Sequence, residues 1–155
     1  MRLAEQNKIV HILEPEDHNA GVDGDSVSLE NYGHVAFIIN FGELTGNAVL
    51  TINSGATVGT KTTAETFNYR ACATVLKTSG GDLLAAETTS AALTLTAATY
   101  KDTFIVVEMD ADEFTDGQQF ITPNLSSAAT QLFASIIAIL SKPRYAQNVP
   151  PTPLA

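Results

Sequence analysis

Apolar and polar positions alternate with a period of two along most of the chain, which predicts β-strands rather than helices. In HVAFIINF (34–41), the alternate positions on one face are large and apolar: Val35, Phe37, Ile39 and Phe41. The opposite face carries Ala36 and Ile38. Apolar residues on both faces indicate a strand that is covered on both sides over part of its length.

Further runs of this kind follow at short spacing. They are AVLTINS (48–54), ETFNYRACATVL (65–76), SAALTLTAA (90–98), TFIVVEM (103–109) and QQFITPNL (118–125). Turn residues stand between them, as in DGDS (23–26), SGAT (54–57) and SGGD (79–82). Short strands with such punctuation are typical of a sandwich or barrel, and we expect an all-β, antiparallel, sandwich or jelly-roll-like single domain.

The run QLFASIIAIL (131–140) is compatible with a helix or a strand, because its length and alanines suit either. We favour a strand. Ile136, Ile137 and Ile139 are β-branched, and Pro143 closes the run.

The same period predicts which side chains form the hydrophobic core. The expected core residues are Val35, Phe37, Ile39, Phe41, Val49, Ile52, Phe67, Phe104, Val106, Phe120, Ile137 and Ile139.

Two terminal segments are expected to lie outside the sandwich domain, which we place at 27–142. Residues 1–26 contain one short strand, KIVHIL (8–13), and then a polar loop. Residues 143–155 form a proline-rich arm that cannot be a helix or a central strand. An extended proline-rich segment loses little entropy on docking, so we expect this arm to hold a neighbouring subunit. Its candidate partner-binding residues are Tyr145, Val149, Pro150, Pro151, Pro153 and Leu154.

The net charge and the positions of the basic residues narrow the classes of possible binding partner. The 155 residues carry 17 acidic and 8 basic side chains, for a formal net charge of −9. The basic residues are scattered, whereas phosphate binding needs clustered Lys and Arg, so nucleic acid and anionic membranes are disfavoured. No run approaches the ~18 apolar residues of a membrane span, and the N-terminus lacks the apolar segment of a signal peptide.

No metal site is expected from the acidic runs or the histidines. In EMDADEFTDG (108–117), an EF-hand counted from Asp110 would need Gly and Glu where Thr115 and Ile121 stand. The patch around Asp23 and Asp25 is explained by turn chemistry. His11, His18 and His34 are spread over different elements, and we expect them to be surface or strand residues.

Catalysis is not indicated either. The chain has no G-x-S-x-G motif and no phosphate loop with its lysine. Cys72 is the single cysteine, and its alanine neighbours indicate a buried, inert thiol. We therefore expect a non-enzymatic protein without cofactors.

Three blocks resemble a known family: SLENYGHVAFIINFG (28–42), NYRACAT (68–74) and ASIIAILSKPRYAQ (134–147). Together with the proline-rich end, they resemble virion structural proteins of tailed bacteriophages, similar to small β-rich head decoration (cement) proteins. The resemblance implies a subunit that stabilises a capsid by contacting the major capsid protein or other virion subunits, in a homo-oligomer. It also implies synthesis in the bacterial host cytoplasm and a place on the capsid exterior, which suits an acidic surface better than contact with packaged DNA.

Two alternatives stay open. The chain could be another virion component, such as a head–tail connector, tail or adaptor protein, because the same domain with arms would serve. It could also be a carbohydrate- or receptor-binding β module. Sugar sites usually present exposed aromatic side chains, and the absence of tryptophan and the presence of only four tyrosines make this alternative weaker.

Overall fold

Twelve β-strands in two antiparallel sheets make up most of the computed structural model, which describes residues 3–72, 79 and 81–144. The sheet that we call sheet A contains, in spatial order, β1 (Lys8–Asp17), β12 (Leu132–Pro143), β4 (Tyr32–Leu44), β10 (Phe104–Asp110), β7 (Phe67–Ala71) and β8 (Thr88–Ser90). Sheet B contains β2 (Val22–Asp23), β11 (Phe120–Leu125), β5 (Ala48–Gly55) and β6 (Thr63–Glu65), with β3 (Val27–Ser28) on β11 and β9 (Leu93–Leu95) on β5. The expected all-β, sandwich-like single domain is confirmed.

Helical structure in the described residues is limited to single turns. They are α1 (Leu3–Gln6), α2 (Ala97–Tyr100) and a 3-10 turn (Ala111–Glu113). The run 90–98, expected as one strand, is divided between β8, β9 and the start of α2. The ambiguous run 131–140 lies almost entirely in β12, so the expected strand is confirmed.

The core consists of the alternate side chains of sheets A and B that face each other. In β4 the expected residues Val35, Phe37, Ile39 and Phe41 are all buried, as the period of two predicts. Ile52 and Phe67 are also buried, as expected. The period therefore identifies the inward face correctly in β4.

In β10, β11 and β12 the predicted period is right but the predicted face is wrong, and in β5 the prediction is wrong for Val49 and right for Ile52. Half of the expected core residues are only half-buried: Val49, Phe104, Val106, Phe120, Ile137 and Ile139. Their neighbours are buried instead: Leu50, Ile105, Val107, Ile121, Ile136, Ala138 and Leu140.

Strand register explains the error in sheet A. Phe37 of β4 stands opposite Val107 and Ala138, and its neighbour Ile38 stands opposite Val106 and Ile137. Directly opposed residues project from the same side of an antiparallel sheet. Since Phe37 points into the core, the row through Ile38 points away from it.

The N-terminal segment 1–26 is not an arm outside the sandwich, contrary to our expectation. β1 is the edge strand of sheet A and pairs with β12 from Lys8 to Asp17. Its side chains Val10, Ile12 and Leu13 are buried in the core. The polar loop is held as well, because Asp25 N–H donates to the Ile12 carbonyl at 2.8 Å. Pairing between the two ends of a chain leaves no local signal in the sequence, which is why the segment looked separate.

Candidate interaction surface

The side of sheet A that points away from sheet B carries a set of apolar side chains, which we call the outer face. Its members are Ile9, Ala36, Ile38, Phe104, Val106, Phe133, Ile137 and Ile139. Ile9 and Phe133 are 44% and 38% exposed, and the others are half-buried. The face arises because β4, β10 and β12 have apolar, largely β-branched residues at successive positions, so both sides of these strands are apolar.

The central row of the outer face is uncharged, and Glu108 stands opposite Ala36 in the next row. One row across the sheet reads His11, Ile137, Ile38, Val106 and Arg70. The middle of this row is uncharged, and the basic or titratable groups stand at its ends. A surface that is apolar at its centre and polar at its rim is typical of protein–protein contacts.

A shallow groove of about 280 Å³ lies at the β12–β4 end of the outer face. It is lined only by uncharged residues: Pro15, Asn40, Phe41, Gly42, Phe133, Ala134 and Ser135. A Cβ atom added to Gly42 would lie 3.3 Å from the Phe133 Cβ, so a side chain at this position would narrow the groove beside the Phe133 ring. An uncharged lining distinguishes this groove from the depressions elsewhere on this acidic chain that carry several carboxylates.

His34 and Asp110 form the centre of a charged cluster beyond the outer face. The His34 Nδ1 lies 2.9 Å from Asp110 Oδ1, and its Nε2 lies 3.6 Å from Glu108 Oε1. The Lys142 ammonium also contacts Asp110 Oδ1, at 2.9 Å. The hydrogen bond from Lys142, and then that from His34, lower the pKa of the Asp110 carboxyl. The same contact raises the pKa of Lys142. The cluster therefore contains its own counter-charges.

The acidic run 108–117 is a strand end followed by a turn, as the sequence indicated. Asp110 caps the 3-10 turn, and its N–H donates to Glu113 Oε2 at 2.8 Å. This is a capping box, in which carboxylates satisfy the first N–H groups of the turn. Within the described residues, no group of three His, Cys, Asp or Glu side chains has an arrangement that could hold a metal ion.

A buried carboxylate, Glu65, connects sheet B to the loop after the 3-10 turn. Its Oε1 contacts the Ser54 hydroxyl and accepts a hydrogen bond from Thr115 N–H at 3.3 Å. Gln118 Oε1 lies 2.6 Å from the same hydroxyl. Ser54 has no exposed surface, so its oxygen has no access to a substrate in this conformation. We interpret this group as a structural anchor for residues 115–118.

Two single-residue expectations from the sequence need correction. His18 is not a surface residue: it is 8% exposed, and its Nε2 lies 2.9 Å from the Glu14 carbonyl oxygen. Cys72 is half-buried rather than buried, and its Sγ accepts a hydrogen bond from Phe104 N–H at 3.5 Å. The ring contact of His18 is local, whereas the contact of Cys72 depends on the pairing of distant segments.

The partner-binding residues expected from the sequence, Tyr145, Val149, Pro150, Pro151, Pro153 and Leu154, lie outside the described residues. The outer face and its groove were not expected. Their sequence signal was the presence of apolar residues at successive positions in β4 and β10, which we interpreted as cover on both sides. Among the residues that the structure describes, no helix is long and apolar enough to cross a membrane.

Comparison with known proteins identifies no relative: no family model, no curated protein and no solved structure matches this chain.

Proposed function

We propose that this chain is a non-enzymatic structural subunit of a tailed-bacteriophage virion, which decorates and stabilises the capsid through contacts with the major capsid protein or other virion subunits. Two observations support the proposal. The first is the resemblance of residues 28–42, 68–74 and 134–147 to small β-rich head decoration proteins. The second, which carries the proposal, is the outer face of sheet A.

The outer face has the composition of a buried sheet surface but is open in the described residues. Ile38, Val106 and Ile137 stand side by side at its centre and are only half-buried. Sheets that are apolar on both sides normally have both sides covered. A contiguous open apolar surface is a frequent mark of a protein contact site. An assembly role gives this surface a function that a freely soluble single domain would not need.

The energetics favour a subunit held by several contacts at once. Fully covering a Val, Ile or Phe side chain contributes about 1.5–3 kcal/mol, and most side chains of the outer face have at most about a third of that left to gain. Association costs an estimated 4–15 kcal/mol in lost freedom of motion. The face alone therefore gives weak pairwise binding. Repeated contacts on a lattice raise the effective concentration and give firm attachment.

The proposal is tested on particles purified from the cells that make the chain. We expect the chain to co-sediment with virus particles, and gold-labelled antibodies against it to mark the particle heads in electron micrographs. Label on the tail or neck would instead identify another virion component. Recovery of the chain only in particle-free fractions would overturn the proposal.

A matched pair of variants connects this test to the outer face. Ile137→Thr places a hydroxyl at the centre of the face, and Val58→Thr makes a similar change in an exposed loop after β5, away from sheet A. We expect Ile137→Thr to lower the occupancy of particles, and Val58→Thr to leave it unchanged. Equal occupancy by both variants would show that the outer face is not the contact surface.

A further inference from the structure

From the lining of the groove and the sequence of the proline-rich segment 149–154, we infer that the groove at Phe133 and Gly42 binds this segment of a second copy of the chain. The inference deepens the proposed assembly role and rests on it. It assigns a receptor surface and an occupant to a contact between copies.

The groove has the chemistry that a proline-rich segment requires. Peptides in the polyproline II conformation dock in grooves that present aromatic rings and a few hydrogen-bond donors. Phe133 supplies an exposed ring, and Pro15 and Gly42 line the same groove. The Asn40 amide and the Ser135 hydroxyl also line the groove, and neither has a hydrogen-bond partner in the described part of the chain. Both groups can donate hydrogen bonds.

The segment 149–154 (VPPTPL) has the matching features. Pro150 and Pro153 are three residues apart, which places them on one side of a polyproline II helix with its three residues per turn. Prolines have no N–H, so such a segment presents carbonyl acceptors to the donors of a groove. Residues 145–154 contain no charged side chain, and the groove has no charged lining residue. Docking here therefore buries no unpaired charge.

Chain length favours a second copy over the chain's own end. The groove lies at Ser135, and β12 ends at Pro143, about 26 Å away at the rise of a β-strand. Pro150 is seven residues beyond Pro143, so an extended proline-rich segment reaches only about 22 Å. Arg144 N–H still pairs with the Asn31 carbonyl at 2.9 Å, so the chain would also have to reverse direction first. Its own Pro153, ten residues beyond Pro143, spans about 31 Å, but its own Pro150 falls short of the groove. The end of the same chain therefore cannot place both prolines in the groove, whereas the groove of a neighbour has no such restriction.

Photo-crosslinking of the full-length chain tests the inference without particles. Thr152 is replaced by p-benzoylphenylalanine (Thr152→benzoylphenylalanine), and chains labelled with light and heavy nitrogen are mixed before illumination. We expect crosslinked pairs of mixed label, with the attachment in the peptides that contain Asn40–Gly42 or Phe133–Ser135. Crosslinked peptides of a single label, found only in products that migrate as single chains on a denaturing gel, would show that the chain binds its own end. Attachment elsewhere, or no crosslinking, would overturn the site.

Variants of the groove supply the control. Phe133→Ala and Asn40→Ala alter exposed lining residues, and Leu83→Ala removes an exposed leucine outside the groove. Circular dichroism checks that each variant is folded. We expect Phe133→Ala to weaken crosslinking about tenfold, the size of a moderate hot-spot effect, and Leu83→Ala to have no effect. Unchanged crosslinking in both groove variants contradicts the inference.

The two proposals fail in distinguishable ways. If crosslinking between copies is absent but the chain still co-sediments with particles, only the tail–groove contact is wrong. If crosslinking occurs as expected but particles do not carry the chain, the virion role is wrong and the contact between copies stands.

Discussion

Replacing Phe37 and Phe104 by alanine, one at a time, tests which side of sheet A is the core. Phe37 has no exposed surface and stands between Val107 and Ala138 in the sheet. Phe104 lies on the outer face and is half-buried. The two substitutions remove the same atoms from neighbouring strands, so that their difference reports the environment alone.

The expected magnitudes follow from burial. Removing a fully buried phenylalanine ring costs about 3–5 kcal/mol, because lost transfer energy and a residual cavity add. At Phe104 most of the side chain is buried, so about two-thirds or more of the ~1.5–3 kcal/mol available from burial is lost, but no closed cavity forms since the site is open to solvent. We therefore expect Phe104→Ala to cost about 1–2 kcal/mol. The two variants should differ by about 1 kcal/mol or more in the free energy of unfolding.

Urea denaturation at fixed pH measures this difference, with the slope m as a control for two-state behaviour. In thermal unfolding, Phe37→Ala should lower Tm by roughly 6–20 °C, at about 2–4 °C per kcal/mol for a chain of this size. Equal losses of unfolding free energy at Phe37 and Phe104 would refute the assignment of the two faces. A larger loss at Phe104 would mean that the outer face is the better packed one.

Three further predictions concern charge, packing and metal ions. Asp110→Asn should lower the free energy of unfolding at neutral pH. Because the pKa of Asp110 is lowered from its ordinary value of 3.8, its stabilising effect is present above that value and lost as the pH falls through the lower folded value, so the two proteins should converge in stability under acid. Convergence is checked by urea titrations at neutral and at low pH, and a constant difference would contradict the ion-pair account. Gly55→Ala should cost about 1–3 kcal/mol, because a Cβ there would collide with the Thr60 backbone, whereas Gly24→Ala meets only ordinary contacts near 3.5 Å and should cost less in the same assay. A chelator such as EDTA should leave Tm unchanged, and a fall in Tm that one added ion restores would contradict the expected absence of a metal site.

The sequence predicts the strands well because their period is local information. The runs at 34–41, 48–54 and 103–109 correspond to β4, β5 and β10 within a few residues. The sequence does not show which face of a strand points into the core, because β10 and β12 are apolar on both faces. Ile136 and Ile137 are equally suited to the core, and only the register against Ile39 and Ile38 decides between them. Period alone therefore could not choose the face.

The groove on the outer face depends even more on contacts between segments that are distant in the sequence. The groove combines Pro15, Asn40, Gly42 and Phe133, which come from three separate parts of the chain. Nothing in the local sequence around Phe133 indicates that Gly42 lies beside it. The contact between His34 and Asp110 has the same origin, since it requires the pairing of β4 with β10. By contrast, the proline-rich end is visible in the sequence alone, and its proposed role stays a prediction.

We propose that the chain is a repeated part of a virus particle. The most direct test is its copy number relative to the major capsid protein, measured by quantitative mass spectrometry across gradient fractions of purified particles. We expect a constant ratio in every particle fraction, with the chain present in many copies per capsid. A ratio that varies between fractions, or a signal that stays with free protein, would contradict a structural role in the capsid.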